Sequence, residues 1–323
     1  MGRTIKELIG LVKDIPAEYF EETYEKLLEI KAKSKAGAEK DLGVEKCPHC
    51  QSGAIVRNGK RHNKQAYLCR NCGKTFVQTA TSAIACSHSA EAVWKDVVRD
   101  TINGVSIDQT AESLELSHST VFHMRHKILS CVEKAILAAP VDLVGVCEAD
   151  ETYILESVKG RKIPEDYHRK PRKHGATASK PGLSNEYICV QTSVNSESQC
   201  IASAVNRAAP SKAEILEVFG DRIVDDTVIL CDGKANYDVL EDKCIVAHTE
   251  RINTVNSFHS FIKERIRAAR GVATIYLNRY NSLFAKIFGN MDTAPAAIYN
   301  LIKTRNSSFQ TIAGLKSNNL LGL

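Results

Sequence analysis

Four cysteines in two close pairs constrain this chain more than any other feature. The segment CPHCQSGAIVRNGKRHNKQAYLCRNCGKTFV separates Cys47 from Cys50, and Cys69 from Cys72, by two residues each, with eighteen residues between the pairs. Each Cys-x2-Cys unit makes a tight knuckle whose thiolates aim at one point, and two knuckles complete a tetrahedral site. Zinc is the ion such a set takes, and with every position filled by protein its role would be structural. So short a stretch buries too little apolar surface to fold alone, so metal binding would supply most of its folding energy. Gly53 and Gly73, soon after each pair, are expected to supply the permissive backbone of the turns. The competing reading, two unrelated redox-active or buried pairs, sits poorly with this double spacing in a polar, Gly-rich setting. His49 and His62 read as surface residues, because the thiolates already fill the site. Arg57, Lys60, Arg61, Lys64 and Arg70 decorate the same ribbon, either as phosphate contacts or as a solvated basic face.

The whole chain has 323 residues, room for two or three domains and at least one sizeable core. Its eleven cysteines are an odd number in a chain too long for a disulfide-dependent mini-fold, so a reduced, cytosolic protein is expected. Cys86, Cys131, Cys147, Cys189, Cys200, Cys231 and Cys244 lie mostly in apolar surroundings and read as small buried hydrophobes. The net charge of +5 leans mildly toward polyanionic partners. No apolar run approaches the roughly 20 residues of a membrane span, and Lys and Glu interrupt the N-terminal apolar residues, against a signal peptide.

Organisation follows from pattern. Residues 1–40 read as two N-terminal helices and 44–80 as the ribbon, with helical periodicity returning over 88–138. Short β-type runs then dominate: VGVCEADETYI, EYICVQTSV, QCIASAVN, TVILCD and CIVAH. A last helical region closes a domain expected over 143–305, before a polar tail at 306–323.

Within the helical region, SIDQTAESLELSHSTVFHMRHKIL suggests a short helix, a tight turn and a longer helix capped by Ser117. Ile107, Ala111 and Leu114 would face inward from the first, and Val121, Ile128 and Leu129 from the second. His118, Ser119, Thr120, His123 and Arg125 would then project outward, able to reach bases or phosphates if this is a DNA-reading helix-turn-helix. An ordinary helical hairpin has the same periodicity. Trp94, with Val97, Val98 and Ile102, reads as core.

Two carboxylates stand where apolar strands should carry none: Asp150 inside VGVCEADETYI, and Asp232 ending TVILCDG. A carboxylate beside a buried strand needs a hydrogen bond, a cation or a metal. Two of them from neighbouring strands could hold divalent cations for phosphoryl transfer. A lone Asp before Gly is also an ordinary turn residue. Farther on, Asn256, His259 and Lys263 fall at i, i+3 and i+7 on one helical face, and Arg267 and Arg270 extend a basic stripe that would otherwise be a solvated polar face. Glu151 and Glu264 are adjacent acids that strand and helix geometry turns away. Between Lys159 and Lys180, eight Lys or Arg residues against two acidic ones give a local charge of +6 in a Pro- and Gly-containing loop. Arg169, Lys170, Arg172 and Lys173 form its centre, which reads as a DNA-tracking surface or as a merely solvated loop.

The motifs ADETYI, VILCDG and VNSFHSFIKERI…RGVATIYLNRY closely resemble those of bacterial insertion-sequence transposases with a zinc ribbon and a DDE-type catalytic core. The resemblance runs from the ribbon to about residue 290, and its specificity lies in the order of ribbon, helix-turn-helix, first Asp, second Asp and Asn/His/Lys helix. It implies a multidomain protein whose catalytic domain is an α/β ribonuclease H-like core, a mixed sheet flanked by helices. It also implies binding of terminal inverted repeats, and Mg²⁺- or Mn²⁺-dependent DNA cleavage and strand transfer without a covalent enzyme intermediate. By motif, Asp150 and Asp232 would be metal ligands, with Asn256 where many relatives have Glu, His259 as a further candidate ligand, and Lys263 on a phosphate near the scissile bond. The DNA partners would be element ends and target, held by a homodimer or higher oligomer in a bacterial, nucleoid-associated setting. Asn256 departs from the acidic pattern, since Asn offers a carbonyl oxygen but no charge. An inactive or domesticated DNA-binding regulator is the alternative, and an RNA-processing nuclease would share the metal chemistry.

Overall fold

The computed structural model describes residue 44 and residues 46–61, 64–77, 82–85, 87–163, 165, 167, 178–179, 182–233 and 236–304. The helices expected over 1–40, the tail at 306–323, His62, Cys86 and the loop residues Arg169, Lys170, Arg172 and Lys173 lie outside the described residues. The chain divides into two compact units, Met1–Gln78 and Thr79–Leu323.

In the first unit, β1 (Ile55–Arg61), β2 (Lys64–Cys69) and β3 (Thr75–Val77) form an antiparallel sheet in that order. Its apolar interior amounts to Cys47, Tyr67, Cys69 and Phe76 with a few half-buried neighbours. The rings of Tyr67 and Phe76 stack with centroids 5.8 Å apart. Among the described residues that is too little burial to offset the chain entropy of the ribbon.

The second unit is built on a five-stranded mixed sheet of order β6-β5-β4-β7-β8. β4 (Val146–Leu155), β5 (Tyr187–Asn195) and β6 (Cys200–Arg207) form an antiparallel meander. β7 (Val228–Cys231) and β8 (Ile245–His248) continue the sheet parallel to β4. All five apolar runs noted in the sequence are strands. Alternation along β4 separates the faces. Cys147 and Ala149 join Ile215, Val218 and Phe219 of a short helix on one side, while Glu148 and Asp150 point to the other. Sequence periodicity does not announce that short helix: its eight residues, Lys212–Phe219, are held by a Ser211/Glu214 capping box.

Among the described residues the α-helices are α1 (Glu91–Ile102), α2 (Ile107–Ser113), α3 (His118–Ala138), α4 (Lys212–Phe219), α5 (Asn253–Ala268), α6 (Leu277–Ile287) and α7 (Ala294–Thr304). On the second face of the sheet, Trp94, Val97, Ile128, Leu129 and Val132 from α1 and α3 share one core with Phe258, Ile262, Phe284 and Ile298 from α5, α6 and α7. The helical region expected over 88–138 therefore closes its core against the helices that follow the sheet. Among the described residues, no helix is long and apolar enough to cross a membrane.

This packing corrects one expectation. Arg125 does not project outward: it is 2% exposed, and its Nη2 donates to Thr110 Oγ1 at 3.3 Å. α3 is surrounded by α1, α2, α6 and α7, so beyond its first turn little of its surface reaches solvent. His118 and Ser119 are exposed and Thr120 half-buried, on a turn capped by the Ser117 side chain, which accepts from Thr120 N at 3.1 Å. Nearby, Glu133 and Arg279 make a buried ion pair at 3.3 Å between α3 and α6.

Candidate functional site

The parallel register of β4 and β7 brings the two aspartates level. Ala149 pairs with Cys231 as the last matched residues, so Asp150 and Asp232 stand one step farther along neighbouring strands. Beyond Cys231 the strand stops and the chain turns at Asp232–Gly233. Both carboxylates lie close enough to Glu151 for their charges to raise its pKa.

α5 is docked over this point by a residue that sequence reasoning does not single out. Ile252, at the N-cap of α5, has no side chain to cap the helix. Glu148, two residues before Asp150 on the same side of β4, does so instead. Its Oε2 accepts from Val255 N at 2.9 Å and its Oε1 from Thr254 Oγ1 at 2.9 Å. A carboxylate there satisfies an orphan amide and complements the helix dipole. One turn on, His259 comes down on Asp150.

His259 is 5% exposed. Its Nε2 lies 2.6 Å from Thr192 Oγ1, and that hydroxyl donates to the Asp150 backbone oxygen at 2.8 Å. Its Nδ1 lies 3.8 Å from Asp150 Oδ2. Burial, with the Lys263 charge adding to it, lowers the His259 pKa to about 4, so the ring is neutral near pH 7 and the contact is not an ion pair. Asn256 and Lys263 are exposed beside the buried face of Val255, Phe258, His259 and Ile262. Arg267 is exposed near the end of the same helix. The geometry brings Asp232 level with Asp150 and His259 against Asp150, whereas among the described residues the close cluster of potential metal ligands is the cysteine quartet.

Glu151 faces the opposite side of the sheet, as strand alternation requires. Burial and the charges of Asp150 and Asp232 raise its pKa to about 7. The Tyr237 hydroxyl counters part of this, although the contact falls short of good hydrogen-bond geometry. Gln191, the cross-strand neighbour of Glu151, is fully buried there, and its amide has no hydrogen-bond partner among the described residues.

In the ribbon, the four cysteines are free thiols whose sulfurs all lie within 4.8 Å of one another. Cys47 Sγ is 3.7 Å from Cys72 Sγ, and Cys50 Sγ is 3.6 Å from Cys69 Sγ. Four sulfurs at about 2.3 Å from a central ion would stand about 3.8 Å apart, so the quartet fits one tetrahedral zinc. Backbone amides aim at the sulfurs: His49 N approaches Cys47 Sγ at 3.4 Å, and those of Cys72 and Asn71 hold Cys69 down to about 7. The knuckles match in detail, since Gln51 N bonds to Cys47 O and Gly73 N to Cys69 O. The residue with positive φ in the first knuckle is Gln51, at 59°, and not Gly53; Gly73 takes 69° in the second.

The basic loop is pinned where it leaves the sheet. Glu156 pairs with Arg207 at 2.9 Å, and its amide bonds to Glu186 O at 2.9 Å, closing the base. Lys159 Nζ reaches the carbonyl oxygens of Arg270 and Gly271 just past α5, at 3.0 and 3.2 Å.

No family model matches the chain. It is 26% identical over 255 residues to an uncharacterized protein in transposable element ISH50 of Halobacterium salinarum, covering 74% of this chain and 83% of that protein. Among solved structures it is similar to a pre-cleavage Mos1 transpososome, at 10% identity and a TM-score of 0.23 over 64% of this chain and 75% of that one. It is also similar to the Mos1 strand transfer complex, at 11% identity and a TM-score of 0.26 over 69% and 79%. Structural likenesses this remote carry no functional conclusion.

Proposed function

We propose that this chain is an insertion-element DNA transposase that cuts and joins DNA by metal-dependent phosphoryl transfer. The observation that carries the reading is the level pair Asp150 and Asp232 on neighbouring parallel strands, with α5 bringing His259 against Asp150. An antiparallel meander extended by two strands parallel to its first is the sheet expected of a ribonuclease H-like core, and it supports that reading. A relative encoded in a transposable element supports it from a second side.

Asp150 and Asp232, with the Asn256 carbonyl oxygen and His259, would hold Mg²⁺ or Mn²⁺. Such ions activate the attacking oxygen and stabilise the leaving one. In hydrolysis, a water oxygen bonds to phosphorus as the P–O3′ bond breaks and frees a 3′-hydroxyl. In strand transfer that hydroxyl loses its proton, bonds to a target phosphorus and expels a target 3′-oxygen. Lys263 would neutralise a phosphate oxygen as a point charge. His118, Ser119 and Thr120 on the open turn of α3, the loop around Arg169, Lys170, Arg172 and Lys173, and Arg267 on α5 would contact DNA, with the zinc-bound ribbon as a second module. His123 is the remaining candidate on α3, since Arg125 is buried and does not face DNA. A homodimer or larger assembly would be needed to hold two ends.

One observation favours a second reading, a DNA-binding regulator without catalysis: the exposed third position on α5 is Asn256, not an acid. Purified protein with pre-nicked element-end DNA and Mg²⁺ or Mn²⁺ separates the two. Strand-transfer product that disappears in Asp150→Ala and Asp232→Ala, with end binding retained, is the expected result. End binding without product, where an active relative gives product under the same conditions, leaves the regulator.

A further inference from the structure

Thr192 is fully buried in the middle of β5 and lies between two parts of the candidate cation site. Its hydroxyl has one proton, and a backbone carbonyl can only accept. The 2.8 Å contact from Thr192 Oγ1 to the Asp150 carbonyl oxygen therefore uses that proton. The 2.6 Å contact between the same oxygen and His259 Nε2 then requires the proton to sit on Nε2. In a neutral imidazole this leaves Nδ1 with a lone pair. Nδ1 lies 3.8 Å from Asp150 Oδ2. The gap is too long for a hydrogen bond, yet shorter than two metal–ligand bonds of about 2.1 Å laid end to end.

We infer that Thr192 is a positioning residue that fixes His259 in its Nε2–H tautomer, making His259 Nδ1 and the Asp150 carboxylate a mixed nitrogen–oxygen cation site. This inference rests on the reading of Asp150 and Asp232 as cation ligands, and goes beyond it in naming the tautomer, the residue that sets it and the ion it favours. An imidazole ligand shifts preference from Mg²⁺, which prefers oxygen, toward Mn²⁺ and Co²⁺. A residue that orients a metal-binding histidine through its second nitrogen typically changes affinity by about 10- to 100-fold when removed. The arrangement is a backbone-anchored relay, since Thr192 takes its own orientation from the strand that carries Asp150.

The test uses the full zinc-loaded chain with ¹⁵N-labelled histidine. Without added Mg²⁺ or Mn²⁺, ring-nitrogen chemical shifts should show His259 with its proton on Nε2, the signal being identified by its loss in His259→Gln. Mn²⁺ binding, followed by electron paramagnetic resonance of the free ion, should weaken about tenfold in Thr192→Val and in His259→Gln. Thr192→Ser, which keeps the hydroxyl, should stay close to the parent, and Mg²⁺ affinity should move less than Mn²⁺ affinity. An Nδ1–H tautomer in the parent chain overturns the inference, even where Thr192→Val does not fold. So does Mn²⁺ binding lost in Asp150→Ala but unchanged in Thr192→Val and His259→Gln; there the two-aspartate reading survives. Ion binding indifferent to Asp150→Ala and Asp232→Ala removes that reading and the inference with it.

Discussion

Glu148 and Val255, more than a hundred residues apart, are joined by a 2.9 Å bond from the amide that opens α5 to a carboxylate on β4. The same carboxylate accepts from Thr254 Oγ1, so the start of α5 is fixed against the strand that carries Asp150. Since Glu148 and Asp150 are two apart on a strand, and Val255 and His259 four apart on a helix, the cap sets where His259 lands. Glu148→Ala should cost about 1–2 kcal/mol, the usual loss for an N-cap. It should also weaken Mn²⁺ binding at a site it does not touch. Glu148→Gln, which can still accept, should lose less. Hydrogen exchange at the Val255 amide is the direct measurement: unchanged protection in Glu148→Ala would show that the cap does not hold the helix.

The ribbon yields a stoichiometric prediction. The protein should carry one tightly held zinc, and removing it should unfold residues 46–77 while the sheet and its helices stay cooperative, because the two units have separate cores. Cys69→Ser should do the same. Hydrogen exchange mapped along the chain before and after chelation would test this. Loss of protection across β4–β8 on chelation would contradict it.

Much of this molecule is legible in its sequence because the signals are local. Five strands are visible as apolar runs ended by turn residues, and Asp150 and Asp232 stand out as carboxylates in such runs. The cysteine spacing alone implies the thiolate cluster. What the sequence hides depends on contacts between distant segments. Thr192 is one more β-branched residue in EYICVQTSV until α5 folds over it. Glu148 is within reach of sequence reasoning, since alternation places it on the same face as Asp150, but its partner amide lies on another element. Arg125 is misplaced by periodicity because counting by helical turns assumes one buried stripe, whereas α3 is enclosed on most sides. Lys212–Phe219 is too short for periodicity to announce. In the first knuckle, the expectation of glycine meets a backbone that places Gln51 in the left-handed region.

His126 makes folding sensitive to acid. It is 1% exposed, its ring centroid 4.3 Å from those of Phe122 and Tyr276. Burial, reinforced by the charges of Arg279 and Arg125 and by His123, lowers its pKa from 6.5 to about 3. The folded state therefore binds fewer protons than the unfolded state between those values, so stability rises with pH across that window. The contribution is fully present above about pH 6.5 and is lost as pH falls toward 3. A shift of this size is worth on the order of 5 kcal/mol at neutral pH. Urea unfolding at pH 7 and pH 5 should show the loss. His126→Leu should flatten the dependence by nearly one proton, and an unchanged slope would mean that the ring already titrates in the native protein.

Arg125 and His118 should separate stability from DNA binding. Both lie on α3 and both are candidates by sequence to reach nucleic acid, but His118 is exposed on the first turn while Arg125 is sealed against Thr110. Arg125→Ala removes a buried cation and its packing, and should cost about 3 kcal/mol. Near-native binding per folded molecule should remain. His118→Ala and Ser119→Ala should leave the unfolding midpoint within about 0.5 kcal/mol, as surface changes usually do. If the turn enters DNA, they should weaken binding to element ends more than binding to unrelated duplex, since base contacts specify and phosphate contacts do not. Parallel measurements of denaturation and of end binding at two salt concentrations would decide. A reduced salt slope in Arg125→Ala, with stability intact, would mean that the side chain leaves its pocket for phosphate. Indifference of DNA binding to both surface changes would instead make α2 and α3 a structural hairpin, and would move end recognition to the ribbon and the basic loop.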